Sequence, residues 1–327
     1  MLTLGQRSRL SFAFEPPIMR LTDNALRSVV FLGHVLDPDD LETFKARATG
    51  FFVGFKGVAY LVTAAHVAVG LGADPFYVRI NSLKDDCGAV IVDPGADEMH
   101  RWFLHPDPSV DLALIAFPYR FRDAGWDQLA IGGDLLMSAA GVVEHDVGPG
   151  DTCYAVGLFR LLQGRRRNLA VVHQGSIAAM PSDELIPVSN WRGDGKVQAR
   201  AYLVEATNLK GLSGSPVFVR PTIQIMADRM SVQHEEAGIS FSRGGNAGLS
   251  APSCDVYLLG VWSASWDAQP DEVLGLDHGT ETRVPLGLGV VVPTSALLDL
   301  LDSELVKVQR RNLYETYSPE LANPDEG

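Results

Sequence analysis

Cysteine is scarce: Cys87, Cys153 and Cys254 are the only three in 327 residues, and no two form a Cys-x-x-Cys pair. That excludes a disulfide scaffold and a cysteine-based zinc site. It leaves buried or free thiols in a reducing compartment. Long apolar runs are missing too, since no stretch approaches the roughly 20 residues of a membrane span. The apolar piece behind the N-terminal basic residues is about five residues long, against the roughly 7 to 15 of a secretory signal. A cytoplasmic protein is the expectation. Positive charge is the third scarcity, with 27 Lys and Arg against 40 Asp and Glu and a net charge of −13. Such a surface does not attract nucleic acid or an anionic membrane, so neither is an expected partner. The histidines His34, His100, His105, His145, His173 and His278 show no ligand spacing, "GDGK" at 193–196 lacks the rest of a phosphate loop, and "HEE" at 234–236 is not His-Glu-x-x-His. No metal and no other cofactor is expected.

What is present is 46% hydrophobic residues with 32 glycines and 19 prolines, in short apolar runs broken by turn residues. Such a text favours many short strands over long helices, and the length suits one large or two ordinary domains. Residues 1–27 have no clean periodicity and read as an arm. Strand-like runs then occupy 28–34, 49–55, 58–64, 76–82, 99–105 and 111–117, roughly one barrel's worth, so that 28–120 forms a first module. Residues 121–150 break the pattern as an interdomain connection. A second series, at 151–159, 168–180, 199–206, 215–219, 256–265 and 286–294, forms a second module over 151–305, interrupted by an insertion at 222–255. Beyond Pro293 the period changes, with Leu297, Leu298, Leu301 and Leu305 on one face of a closing helix. Thr294 or Ser295 is its expected cap, Arg310 and Arg311 complement its C-terminal dipole, and 306–327 is the end of the helix and a tail.

Three short stretches could carry chemistry. "YLVTAAHVAVG" delivers His66 at the tip of an apolar strand, "HPDPSVDLALIAF" puts Asp111 at the mouth of another, and "LKGLSGSPVF" sets Ser213 among glycines. Singly, each reads equally well as a strand-end or turn residue. Together they supply what acyl transfer needs: an alcohol to attack, an imidazole to take its proton, and a carboxylate to fix the tautomer and stabilise the imidazolium.

On these residues the chain resembles the chymotrypsin-like (trypsin-fold) serine peptidases, closest in texture to the bacterial high-temperature-requirement proteases. The matching pieces are "TGFFV" and "YLVTAAHV", "DLALI", "GSIAA", "GLSGSPVF", "LLGVWSAS" and "GVVVP", in the family's order between about residues 28 and 305. The resemblance implies an all-β fold of two packed six-stranded antiparallel barrels with a C-terminal helix, and a site in the crevice between them. It implies a serine endopeptidase in which Ser213 is the nucleophile, His66 the base and then acid, and Asp111 the residue that orients it. The amides of Gly211 and Ser213 would form the oxyanion hole. Thr207, Ser263, Ala264 and Ser265 would bind substrate, a protein or peptide laid along the edge at Ser263–Ser265 as an added strand.

Departures from the family's pattern qualify this. Leu212 stands where secreted members have an aspartate that pairs with a freshly cut N-terminus, and Ser215 where a second glycine usually sits. Thr207, in place of a carboxylate, argues against a preference for Lys or Arg and for small or medium apolar side chains. The chain ends after its closing helix, so no appended peptide-binding domain is expected. Insertion 222–255 is open to three readings: a lid, a docking surface for a regulatory protein partner, or a disordered excursion. Arg165, Arg166 and Arg167 read either as a solvated hairpin turn or as a contact for an acidic partner. Two further readings stay open: a protease fold used as a silent binding or sensing module, and a protease switched on by a partner in a stress or defence system.

Overall fold

The computed structural model describes residues 21–317 except 22, 38–39, 73, 85–86, 97–99, 160–161, 194, 207–210, 222–231, 236–237, 242–255 and 269–283. Strands β1 (Val29–Asp37), β2 (Asp40–Phe55), β3 (Val58–Thr63), β4 (Phe76–Asn81), β5 (Cys87–Val92), β6 (Phe103–Leu104) and β7 (Ala113–Ala116) form one antiparallel sheet in the order β5-β4-β1-β2-β3-β7-β6. Six strands in a closed barrel were expected; the ladder has seven, and no pairing joins β5 to β6 among the described residues. Side chains alternate along a strand, and here both faces are buried. Val30, Leu32, Phe52 and Leu61 point into the module's own core, while Phe31, Phe51, Tyr60 and Val62 pack with Val156, Phe218 and Leu258 of the second module. This is why "SVVFLGH" is continuously apolar rather than alternating.

The second module is a closed barrel. Strands β8 (Thr152–Leu158), β9 (Ala170–Ala179), β12 (Tyr202–Glu205), β13 (Pro216–Arg220), β16 (Tyr257–Ala268) and β17 (Val284–Pro293) run in the order β12-β17-β16-β13-β8-β9, and β12 pairing with β9 closes it. Between β9 and β12 the chain leaves the barrel as a separate hairpin, β10 (Ile186–Ser189) with β11 (Lys196–Ala199). Sequence periodicity does not reveal it, because Pro187 removes a ladder donor and the strands are short and half polar. Of insertion 222–255, only the hairpin of β14 (Val232–Glu235) and β15 (Gly238–Phe241) and the strand end at 241 are described, so the lid and partner-docking expectations fall on residues outside the description.

Among the described residues the helices are α1 (Asp23–Arg27), α2 (Ala65–Leu71), α3 (Ala139–Glu144), α4 (Thr294–Leu301) and α5 (Glu304–Tyr317). The single closing helix of the sequence reading is therefore two. Asp302 and Ser303, residue types that favour helix ends, stand at the break, and Asp302 Oδ1 accepts from Lys56 Nζ at 3.3 Å. Nor does Thr294 cap: its hydroxyl donates to the Leu258 carbonyl at 2.7 Å, and Pro293 precedes the helix without a side-chain cap. Arg310 is fully buried rather than at an exposed helix end, donating to the Leu301 carbonyl at 3.1 Å and to Tyr60 Oη at 3.3 Å. With Tyr314 Oη donating to the Lys56 carbonyl, α5 fastens the chain's end back onto the first module.

The loop carrying Arg165, Arg166 and Arg167 is docked through its backbone, while Arg165 and Arg166 are exposed as a solvated turn would have them. Arg79 of β4 donates to three of its carbonyls, Gln163 at 3.1 Å, Gly164 at 3.0 Å and Arg165 at 2.9 Å. Arg167 pairs with Asp127, which also holds Arg27 at 2.5 Å. The acidic partner proposed for this run is thus, for Arg167, a residue of the same chain.

Candidate active site

His66 stands in the first turn of α2, directly after β3. Residue Ala64 has no side-chain acceptor with which to cap that helix. Asp111, two residues ahead of β7, does it instead: its Oδ1 accepts from the His66 amide at 2.8 Å, satisfying one of the orphan donors of the helix start. Its Oδ2 meets His66 Nδ1 at 2.7 Å. The alanines of "VTAAHVA" permit this approach, because Ala65 and Ala68 pack directly on Ala113. One carboxylate thereby fixes both the helix and the ring.

Asp111 is 7% exposed. Burial is the largest influence on its carboxyl and pushes the pKa up. The His66 ring's hydrogen bond and charge, the Ser263 hydroxyl and the His66 amide together outweigh it, holding the group below its ordinary value of 3.8. An ionised carboxylate only accepts, so Nδ1 carries the proton and, in the neutral ring, Nε2 is left to accept.

Ser213 lies in a tight turn between Gly211 and Ser215, closed by the Ser215 amide donating to the Leu212 carbonyl at 2.8 Å. Gly211 has φ +113° and Gly214 φ +82°, a region that favours glycine. A Cβ on Gly214 would also lie 2.2 Å from the Thr49 carbonyl oxygen. The turn is gripped from the other module by Thr49 of β2, fully buried, whose hydroxyl donates to the Gly211 carbonyl at 2.8 Å and whose amide donates to the Ser213 carbonyl at 3.2 Å. Thr63 Oγ1 in turn donates to the Thr49 carbonyl at 2.8 Å. Leu212, 1% exposed, points into the barrel core with Val217 and Trp262.

The three sequence-selected residues meet at one cavity of about 260 Å³, whose lining includes His66, Asp111, Ser213, Ser263 and Ala264. The Ser213 hydroxyl donates to the Ser263 carbonyl at 3.3 Å, and no hydrogen bond joins it to the His66 ring. Rotation about one side-chain bond redirects such a hydroxyl, and unliganded sites often hold this contact open. Ser263 has a role that its assignment to substrate binding missed: its Oγ donates to Asp111 Oδ2 at 2.5 Å, so β16 supplies a third donor to the carboxylate. Ser265 does not line the cavity, and Thr207 lies outside the described residues. Sequence reasoning also missed Thr49 and Trp191, the latter a wall of the same cavity. The only local signal for Thr49 was its place in "TGFFV", and for Trp191 an aromatic in a loop.

The model of the trypsin-like peptidase domain family matches residues 48–222, and the chain belongs to that family. Among solved structures it is similar to one described as HtrA-type protease AlgW with decapeptide, at 17% identity and a TM-score of 0.43, over 90% of this chain and 66% of that one. The chain thus spans just under two thirds of that structure's length. No curated protein matches it in sequence.

Proposed function

We propose that the protein is a serine endopeptidase that cleaves protein or peptide substrates through an acyl-enzyme. The observation that carries this is a single cavity lined by Ser213, His66 and Asp111, with the ring held on the carboxylate by a 2.7 Å contact. Ser213 Oγ attacks the carbonyl carbon and His66 Nε2 takes its proton. The Asp111 carboxylate stabilises the imidazolium, which then protonates the leaving amine, and a water repeats the sequence to free the acid. The amides of Gly211 and Ser213 receive the oxyanion, each such donor being worth about 3 kcal/mol. The positive φ of Gly211 and the Thr49 anchor on the Gly211 carbonyl support this assignment. Substrate adds along Ser263, Ala264 and Ser265: the pairing of β13 with β16 ends at Val261, so Ser263 and Ala264 lie past its last rung. The working compartment in this reading is the cytoplasm, in keeping with a buried, unpaired Cys153.

A second reading is favoured by one observation, the Ser213 hydroxyl turned to the Ser263 carbonyl. It is a site kept silent until a protein partner of a stress or defence system, or a ligand, reorganises the loop, or a silent module used for binding. Labelling with a fluorophosphonate probe separates the two. Purified protein that labels, with Ser213→Ala abolishing the label and lowering kcat by about 10⁶-fold, is the outcome expected of the first. Labelling only in the presence of cell extract supports the switched form. Proteolysis retained by Ser213→Ala refutes the assignment of the nucleophile.

A further inference from the structure

The hairpin of β10 and β11 pairs only with itself among the described residues; its base packs on the barrel wall, Ile186 with Ala201 and Val290, and its tip packs elsewhere. The tip turns at Asn190, whose Oδ1 accepts from the Arg192 amide at 3.0 Å. From there Trp191 reaches the first module and packs with Trp102 and Leu104 around Ala65, Ala68 and Ala113. Ala65 adjoins His66 in sequence, and Ala113 follows Asp111 by two residues, so the indole lies beside the proton-handling pair. Arg192 holds it there, its guanidinium 4.6 Å from the indole ring and its Nη2 donating to the His105 carbonyl at 3.0 Å. An element of the second module is thus fastened across to the first.

The cavity is the space left beneath this bridge. Val188, Trp191 and Ala199 of the hairpin face Ala201, Ala264 and Val290 of the barrel wall, and Arg200 stands exposed among the lining residues. At about 260 Å³ it is smaller than the roughly 300–1,000 Å³ of small-molecule sites. Its lining mixes apolar groups with Ser109, Ser189, Ser213 and Ser263; its one acid, Asp111, is already held by His66 and Ser263, and its one basic group besides His66 is Arg200, which repels a cationic side chain.

We infer that Trp191 is a specificity-determining residue: bridged across the cleft by its hairpin, it closes the cavity to a size that admits one small or medium apolar side chain of a peptide laid along Ser263 and Ala264, and excludes bulky aromatic and basic ones. The inference rests on the serine-peptidase reading above. Removing the indole opens the wall toward the first module, whereas enlarging Val188 on the same hairpin fills the space.

The test uses the whole chain as wild type, Trp191→Ala and Val188→Phe, each divided into one portion labelled with a fluorophosphonate and a separate, unlabelled portion incubated with a peptide library randomised at every position. Wild type is expected to favour Ala, Val or Leu over Phe, Trp, Lys and Arg at one position. Trp191→Ala should raise the preference for Phe relative to Val there by about tenfold or more, on the scale by which apolar pockets discriminate. Val188→Phe should narrow the same position toward Gly and Ala, and it decides the matter if Trp191→Ala fails to fold by circular dichroism. Normal labelling with one unchanged profile in all folded variants overturns the role of Trp191 and leaves the peptidase reading standing. A wild type that neither labels nor cleaves, with or without cell extract, removes both.

Discussion

The two halves of the site are held by different means. The proton-handling half is fastened through side chains: three donors, the His66 amide, the His66 ring and the Ser263 hydroxyl, converge on one buried carboxylate. The nucleophile half is held through its backbone, by Thr49 on two carbonyls and by the Gly214 amide donating to the Trp262 carbonyl at 2.8 Å, while the Ser213 hydroxyl itself rests on a carbonyl. The first arrangement presets a tautomer, the second a turn. Substitutions in the first half should therefore alter charge and pH behaviour, and those in the second should alter rate without moving a pKa.

Asp111→Asn is the strongest way to break the first half. It should lower kcat by about 10⁴-fold, because the amide no longer fixes the required tautomer, as single-turnover kinetics would reveal. Its stability should also lose a pH-dependent component. Since the Asp111 pKa lies below its ordinary 3.8, the ionised group contributes stability that is fully present above that value and is lost as pH falls through the lowered one. Urea midpoints measured from pH 6 down to pH 2 should fall less steeply in the variant. An unchanged slope would mean that the carboxylate is not held as described.

Thr49→Val probes the second half. It leaves the Gly211 carbonyl without its donor at a cost of about 1–3 kcal/mol, so fluorophosphonate labelling should slow by roughly tenfold or more. The acid limb of the stability curve should stay in place, and Thr49→Ser should restore the rate. A shift of that limb would show that the two halves are not separable.

Ser263→Ala sharpens the comparison with a smaller effect. Loss of one donor to the carboxylate raises the Asp111 pKa toward its ordinary value, so the acid loss of stability should begin at a higher pH, with kcat reduced by about tenfold. The smallest effect concerns Cys153. Burial, with the charge of Asp151 adding to it, pushes its thiol up to about 12, so the native protein should resist alkylation at Cys153 near pH 8. Mass spectrometry after iodoacetamide treatment checks this.

Much of the barrel scaffold was legible because apolar runs bounded by Gly and Pro mark strands whichever fold they join. The runs at 28–34, 58–64 and 151–159 correspond to β1, β3 and β8 within a few residues. The hairpin of β10 and β11 escaped, being short and interrupted by Pro187, and so did the edge strand β5, which opens on Cys87 and Gly88. The closing helix was legible in its period but not in its break at Asp302. At the site, His66, Asp111 and Ser213 stood out because each sits in a characteristic local frame. Thr49 did not, since its partner Gly211 is 162 residues away, nor did the bond from Ser263 to Asp111 across 152 residues.

By itself the order of residues determined where strands can run, which side chains carry an alcohol, an imidazole and a carboxylate, and where glycine permits a turn with positive φ. These are local matters of sterics, period and functional-group chemistry. Only the tertiary structure decided that Asp111 both caps α2 and holds the ring, that a threonine of one module steadies the turn of the other, and that Trp191 walls the cavity. Hydrogen bonds and packing act over a few ångströms in space, and which distant segments come that close is settled by burying one face of the first sheet in its own core and the other against the barrel.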